Sequence, residues 1–283
     1  KISFNSAGKY LNNGSSEVDK MYTADMDGDG KLDVVTYTFG MKYFIFVNNS
    51  PQLFLPIVFN FPQEYSIKEY SNDYLFFPEI AVGDLNLDGK SDIVVVGEKA
   101  YYSYNHTQIL YTIQNLSTPG NLNMVYVNKI ILPYNFHIGD KEVFIGKIDN
   151  SIMPGVVILN RLPSPYPIGA TNILSVQNKT FMPGGIILLN FSHTSTKLAD
   201  FNTTLPRPDY DLKDVDGDGL SDIIEYAGTP GKNSRTIIID KNRTTNNNIS
   251  WTENINDLIT LIPFPGDVQS GFIPMPIVDF DGN

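Results

Sequence analysis

The sequence predicts an all-β fold of repeated four-stranded blades, on three observations. Aromatic residues make up 12% of the 283-residue chain, with 16 Tyr and 17 Phe, and 18 Pro and 22 Gly punctuate it. That is a composition of strands and turns. A nine-residue pattern rich in Asp and Gly recurs along the chain at a loose period. Each copy runs at once into a short apolar, β-branched segment, the mark of a strand leaving a turn.

The three full copies are Asp25-Met-Asp27-Gly-Asp29-Gly30-Lys31-Leu-Asp33, Asp84-Leu-Asn86-Leu-Asp88-Gly89-Lys90-Ser-Asp92 and Asp214-Val-Asp216-Gly-Asp218-Gly219-Leu220-Ser-Asp222. Random order at this composition gives on the order of 0.002 such matches, so the spacing carries information. A degenerate copy starts at Lys147, with Ser151 and Gly155 where acids would stand. A fifth starts at Asp279, continues to Asp281 and stops at Asn283. Starts at 25, 84, 147, 214 and 279 define repeats at about 16–77, 78–140, 141–207, 208–271 and a truncated 272–283. This length exceeds a solenoid coil and suits a four-stranded blade.

Strands are expected on both sides of each copy, at 21–24, 79–83 and 143–146 before it and at 34–38, 93–96, 156–159 and 223–226 after it. Each copy is therefore a hairpin connection. Further strands are expected at 43–47, 101–104, 186–189 and 236–239, with turns at 161–167 and 241–250. No segment has the pattern of an amphipathic helix. The apolar runs are strand-sized, far short of the ~20 residues of a membrane helix.

Alternate acids in a tight loop point to a hard divalent cation. Ca²⁺ takes six to eight oxygen ligands, and residues 1, 3, 5, 7 and 9 of such a loop supply them. The expected ligands are Asp25, Asp27, Asp29, Asp33 and the Lys31 carbonyl; Asp84, Asn86, Asp88, Asp92 and the Lys90 carbonyl; and Asp214, Asp216, Asp218, Asp222 and the Leu220 carbonyl. Asp279 and Asp281 begin a fourth site. Without a cation such clustered carboxylates repel one another. In the degenerate copy Lys147 is expected to replace the metal and pair with Asp149. The third full loop also fits an EF-hand through Glu225, but the β-branched flanks replace the helices an EF-hand needs.

These residues resemble the FG-GAP and VCBS-type repeats of integrin α-subunit-like β-propellers. Ala81-Val-Gly-Asp84 through Asp92-Ile-Val-Val-Val96 resembles that repeat almost position for position. The resemblance implies a β-propeller whose Ca²⁺ loops join adjacent strands of a blade and stabilise it while ligands bind on another face. It also implies seven or eight blades, so the chain, with about four and a fragment, is expected to be part of a larger propeller, the rest following Asn283; the alternatives are that a partner supplies the rest or that four blades close tightly.

The charge balance, 20 Lys+Arg against 31 Asp+Glu, is −11 and argues against a nucleic-acid partner. Cysteine is absent, which removes disulfides, thiolate nucleophiles and Cys-ligated zinc. Sequons stand at Asn13, Asn48, Asn105, Asn115, Asn178, Asn190, Asn202, Asn242 and Asn248, nine against roughly four expected by chance, which suggests a glycosylated extracellular protein. His106, His137 and His193 form no catalytic spacing, and Trp251 is expected in blade core or rim. The expected function is adhesion or recognition of a protein or glycan at a cell surface, without catalysis. The alternatives are a self-assembling subunit of a surface layer or filament, and the propeller scaffold of a polysaccharide-degrading enzyme.

Overall fold

The computed structural model describes residues 18–38, 42–46, 75–100, 106–119, 121–132, 141–161, 171–197, 209–228, 235–245, 248–253 and 259–261. Among these there is no helix. The strands form four antiparallel sheets, each a meander in chain order. The first holds β1 (Val18–Ala24), β2 (Asp33–Thr38) and β3 (Lys42–Phe46). The second holds β4 (Leu75–Gly83), β5 (Asp92–Ala100), β6 (His106–Asn115) and β7 (Met124–Ile131). The third holds β8 (Lys141–Gly146), β9 (Gly155–Arg161), β10 (Thr171–Asn178) and β11 (Leu189–Lys197). In the fourth, β12 (Asp209–Lys213), β13 (Asp222–Gly228), β14 (Arg235–Asn242) and β15 (Trp251–Glu253) pair in order, and β16 (Ile259–Leu261) also pairs with β14.

Successive side chains of a strand point to opposite faces, so a strand buried on both sides reads as an unbroken apolar run. β5 does this. Ile93 and Val95 pack with Met26 and Val35 of the first repeat, while Val94 and Val96 pack with Val156, Ile158 and Leu174 of the third sheet. The third sheet repeats the arrangement. Val157, Leu159 and Ile173 turn the other way, onto Ile223 and the partly buried Tyr210, Leu212 and Trp251. Trp251 also donates its Nε1–H to Ser175 Oγ at 3.0 Å. The sheets therefore stack face to face in chain order, with the core divided into the layers between them.

The first strands of consecutive sheets lie side by side, β1 with β4, β4 with β8 and β8 with β12. Their approach is close because the residue just before each loop is small: Ala24, Gly83 and Gly146. A Cβ on Gly83 would lie 3.2 Å from Ile145 of the next sheet. On Gly146 it would lie 2.6 Å from Leu212 Cδ2 and 2.8 Å from Ser221 Oγ. The residue after the first loop position is a knob driven under the following repeat. Met26, Leu85 and Ile148 are wholly buried in this role, whereas the equivalent Val215 is 43% exposed.

Three expectations need correction or restriction. The run 186–189 is not a strand: β11 begins only at Leu189, and Ile187 is a buried plug between exposed Ile186 and Leu188. β6, β7, β10, β15, β16 and β11 beyond Leu189 were not anticipated. The segments 101–104 and 161–167 lie largely outside the described residues. Gly146→Ala should destabilise the chain by about 1–3 kcal/mol through overpacking against Leu212. Denaturant melts of the two proteins measure it, and an unchanged midpoint would mean that the first strands do not sit this close.

Candidate metal centre

All three full loops connect the first strand of a sheet to the second, β1 to β2, β4 to β5 and β12 to β13. The third therefore has strands where an EF-hand would have helices. The position-1 carboxylate organises each loop by accepting main-chain N–H groups. Asp25 takes those of Gly28 at 2.8 Å and Gly30 at 2.7 Å, Asp84 those of Asp88 at 3.1 Å and Gly89 at 2.8 Å, and Asp214 those of Gly217 and Gly219, both at 2.8 Å. Position 5 caps position 7: Asp29, Asp88 and Asp218 accept from Lys31, Lys90 and Leu220 at 2.9, 2.9 and 2.8 Å. The chain folds back over its own carboxylates.

Asp25, Asp27 and Asp29 bring carboxylate oxygens within 4.8 Å of one another, and so do Asp214, Asp216 and Asp218. Three hard oxygen donors converging at positions 1, 3 and 5 fit a divalent cation of the Ca²⁺ type. In the second loop position 3 is Asn86, for a visible reason. Its Nδ2 donates to Gly185 O at 3.1 Å from the β10–β11 connection, whose Gly184 N–H returns a bond to Asn86 O at 2.7 Å. A carboxylate there would face a carbonyl with nothing to donate. The amide oxygen remains an oxygen donor of the loop.

The position-9 carboxylates are not gathered with the other three. Asp33, Asp92 and Asp222 are wholly buried. Through Oδ2 they accept the N–H of Met26, Leu85 and Val215 at 2.7, 2.8 and 3.0 Å. Through Oδ1, Asp92 and Asp222 also accept the N–H of Asn115 and Asn242, both at 2.8 Å. They tie the loop to the third strand of its own sheet. Burial pushes Asp92 up to about 7 and Asp222 in the same direction; the main-chain donors oppose this, and the other acids of each loop add to it.

Basic side chains accompany the acids. Lys31 pairs with Asp29, which lowers the carboxyl and raises the ammonium. Lys90 lies 3.7 Å from Asp88 and donates to Ser117 O at 3.0 Å. In the third full loop position 7 is the buried Leu220, and cations come instead from Lys241, 3.5 Å from Asp216, and Arg243, 3.3 Å from the same carboxylate. In the degenerate repeat the expected exchange of one cation for another does not form. Lys147 is exposed and makes no ion pair with Asp149 among the described residues, while Asp149 accepts Ser151 N–H at 2.9 Å. Asp279 and Asp281 lie outside the described residues.

The sequons divide by environment. Asn115, Asn178 and Asn242 end the third strand of their sheets with side chains 0, 4 and 0% exposed. Each Nδ2 donates twice: Asn115 to Met26 O at 2.7 Å and Ser91 O at 2.9 Å, Asn178 to Leu85 O at 2.6 Å and Pro154 O at 2.9 Å, Asn242 to Ile148 O at 3.1 Å and Ser221 O at 3.3 Å. Each Oδ1 accepts the N–H two residues on, from Ser117, Thr180 and Thr244 at 3.0, 3.0 and 3.1 Å. Those hydroxyls accept from Asn123, Leu188 and Ser250 at 2.9, 3.1 and 3.4 Å. In this fold a glycan on any of the three has no room and removes a donated hydrogen. The N-x-S/T pattern at these sites is a structural latch, which corrects their reading as acceptors. Asn190 and Asn248 are exposed; Asn13, Asn48, Asn105 and Asn202 lie outside the described residues.

Stacked antiparallel sheets with acidic loops at the same first turn define an all-β repeat protein. Residues 25–95 match the FG-GAP-like repeat family. This stretch thus carries FG-GAP-type repeat sequence, from the first loop through the second and into β5. No curated protein matches it significantly.

One residue strains to fit. Gly28 and Gly217 hold position 4 at φ 77° and 76°, and Leu87 holds it at 57°. A left-handed leucine costs about 1–2 kcal/mol, and this one is exposed, so little packing offsets it. Leu87→Gly should raise stability by about 0.5–1 kcal/mol after glycine's extra chain entropy. Thermal melts of the pair decide it; a destabilised variant would mean that the leucine side chain packs in solution.

Proposed function

We propose that the chain is part of a calcium-stabilised β-propeller that works outside the cell in adhesion or recognition of a protein or glycan, without catalysis of its own. The observation that carries this reading is the convergence of positions 1, 3 and 5 in the β1–β2 loop of the first sheet and the β12–β13 loop of the fourth. Serial face-to-face stacking with adjacent first strands supports the propeller, since a blade sealed on both faces by its neighbours is the unit of that architecture.

Loops of this kind fill where Ca²⁺ is plentiful, as it is outside cells. Recognition is supported by apolar side chains left in water beside the second loop: Phe181, which is 96% exposed, with Met182, Ile186 and Leu188 on the connection that clasps Asn86. Exposed apolar groups gathered on one connection suit contact with a partner. Exposed Asn190 and Asn248 are the described positions open to glycans.

Sedimentation velocity and thermal melts in millimolar Ca²⁺ and in excess chelator test the reading. At Ca²⁺ about a hundred times Kd each filled loop adds about 2.7 kcal/mol, so chelation should lower the midpoint sharply and expand the particle. A midpoint indifferent to chelator would sink the calcium reading. Large ordered assemblies formed only with Ca²⁺ would move the function to a structural subunit of a surface layer.

A further inference from the structure

Of the three latches, Asn115 alone joins two full acidic loops. Its Nδ2 reaches Met26 O, between Asp25 and Asp27 of the first loop, and Ser91 O, beside Asp92 of the second. Its main-chain N–H is held by Asp92 Oδ1 at 2.8 Å, and its Oδ1 is held by Ser117 N–H at 3.0 Å. Buried and bonded at every one of these groups, it has one position available. Two further contacts join the same loops. Ser91 N–H donates to Asp25 O at 3.3 Å, and the Lys90 stem lies where a Cβ on Gly28 would meet it at 3.3 Å.

We propose that Asn115 couples the first two loops, so that a cation held in either one raises the affinity of the other. This rests on the reading that the loops hold Ca²⁺. Ordering the second loop fixes Ser91 and Asp92, hence Asn115, hence the donor that Met26 O needs in the ordered first loop. The second binding event then has less chain to order. The coupling is reciprocal, as linkage requires.

The fold supplies its own control. Asn178 and Asn242 make the same latch, but each joins a full loop to the degenerate repeat, which has Lys147, Ser151 and Gly155 in place of acids. Cation binding in the loop at Asp214 is therefore separated from that at Asp84 by a repeat with no ligand set to bias. Coupling should be confined to the first pair.

The experiment follows Ca²⁺-dependent deuterium uptake of residues 84–92 in the full chain, as wild type, Asp27→Asn, Asp216→Asn, Asn115→Ala and Asp27→Asn with Asn115→Ala. Asn86 shows that an asparagine is compatible with position 3. With Asn115 present, Asp27→Asn should raise the Ca²⁺ midpoint of residues 84–92 about five- to tenfold, the lower end of measured couplings, while Asp216→Asn leaves it in place. In the Asn115→Ala background Asp27→Asn should move it at most about twofold, the share left to the Ser91 and Lys90 contacts. An equal midpoint in wild type and Asp27→Asn overturns the coupling while leaving the calcium reading intact. No Ca²⁺-dependent protection in any wild-type loop overturns the calcium reading and the coupling with it. Should Asn115→Ala fail to fold, the contrast between Asp27→Asn and Asp216→Asn decides alone, and equal effects of the two count against the proposal.

Discussion

A strand that is apolar on both sides has no face to give to water, and β5 and β9 are such strands. Each needs a sheet on either side, which forces the sheets into a serial stack and forces their first strands together. The small residues Ala24, Gly83 and Gly146 permit that approach, and the knobs Met26, Leu85 and Ile148 fill the space beneath the following repeat. The fourth repeat departs at both contact positions. Lys213 stands where the glycines stand, its ammonium 3.5 Å from Asp211, and Val215 is the knob left exposed.

Packing brings the loops to one end of the stack, and hydrogen bonds then bind loop to loop. The buried position-9 carboxylate holds its own hairpin to the third strand, and the asparagine at the end of that strand reaches the preceding loop. Main chain adds to this where it can: Ser221 N–H donates to Lys147 O at 2.7 Å, as Ser91 does to Asp25. At the middle junction Pro154 has no N–H to give. There the β10–β11 connection closes over Asn86 instead, with Gln114 gripping it from β6 through Gly185 O at 3.1 Å and Ile187 N–H at 3.2 Å.

The hairpins around the acidic loops were legible in the sequence because their signals are local: alternate acids, glycines at fixed offsets, and unbroken β-branched runs. β10 was not, since Thr171-Asn-Ile-Leu-Ser-Val-Gln-Asn178 mixes polar with apolar residues and every one of them is buried. Its polar groups are paid for by tertiary partners that no single-sequence pattern reveals. The latches were misread for a related reason. A side-chain amide with a hydroxyl two residues on is the pattern both of a glycan acceptor and of an asparagine that caps a turn. Phase distinguishes them. Asn115, Asn178 and Asn242 each stand two residues past the ladder partner of the residue following position 9, while Asn190 has no such place. Spacing places the position-9 acids in the metal set but says nothing of the main-chain donors that Asp33, Asp92 and Asp222 also accept.

The degenerate repeat separates what the loop's shape requires from what its acids are for. Residues 147–155 turn β8 into β9 as the other loops do, yet they carry one acid, Asp149. Local bonds are enough: Asp149 caps Ser151, Ser151 Oγ donates to Met153 O at 2.8 Å, and Asn178 takes Pro154 O. The hairpin, the knob Ile148 and the latch all persist without a carboxylate cluster. Acids at positions 1 and 5 organise the main chain of the full loops, yet a hairpin of this shape forms without them. Clustered carboxylates repel one another, and burial, with a smaller push from Asp88 and Asp84, holds Asp92 well above the ordinary carboxylate range. Lysine and arginine partners at the rim relieve that repulsion only in part, because exposed ion pairs contribute little. A cation seated among positions 1, 3 and 5 would relieve it at its source, and the degenerate repeat keeps the loop's shape without that set of acids.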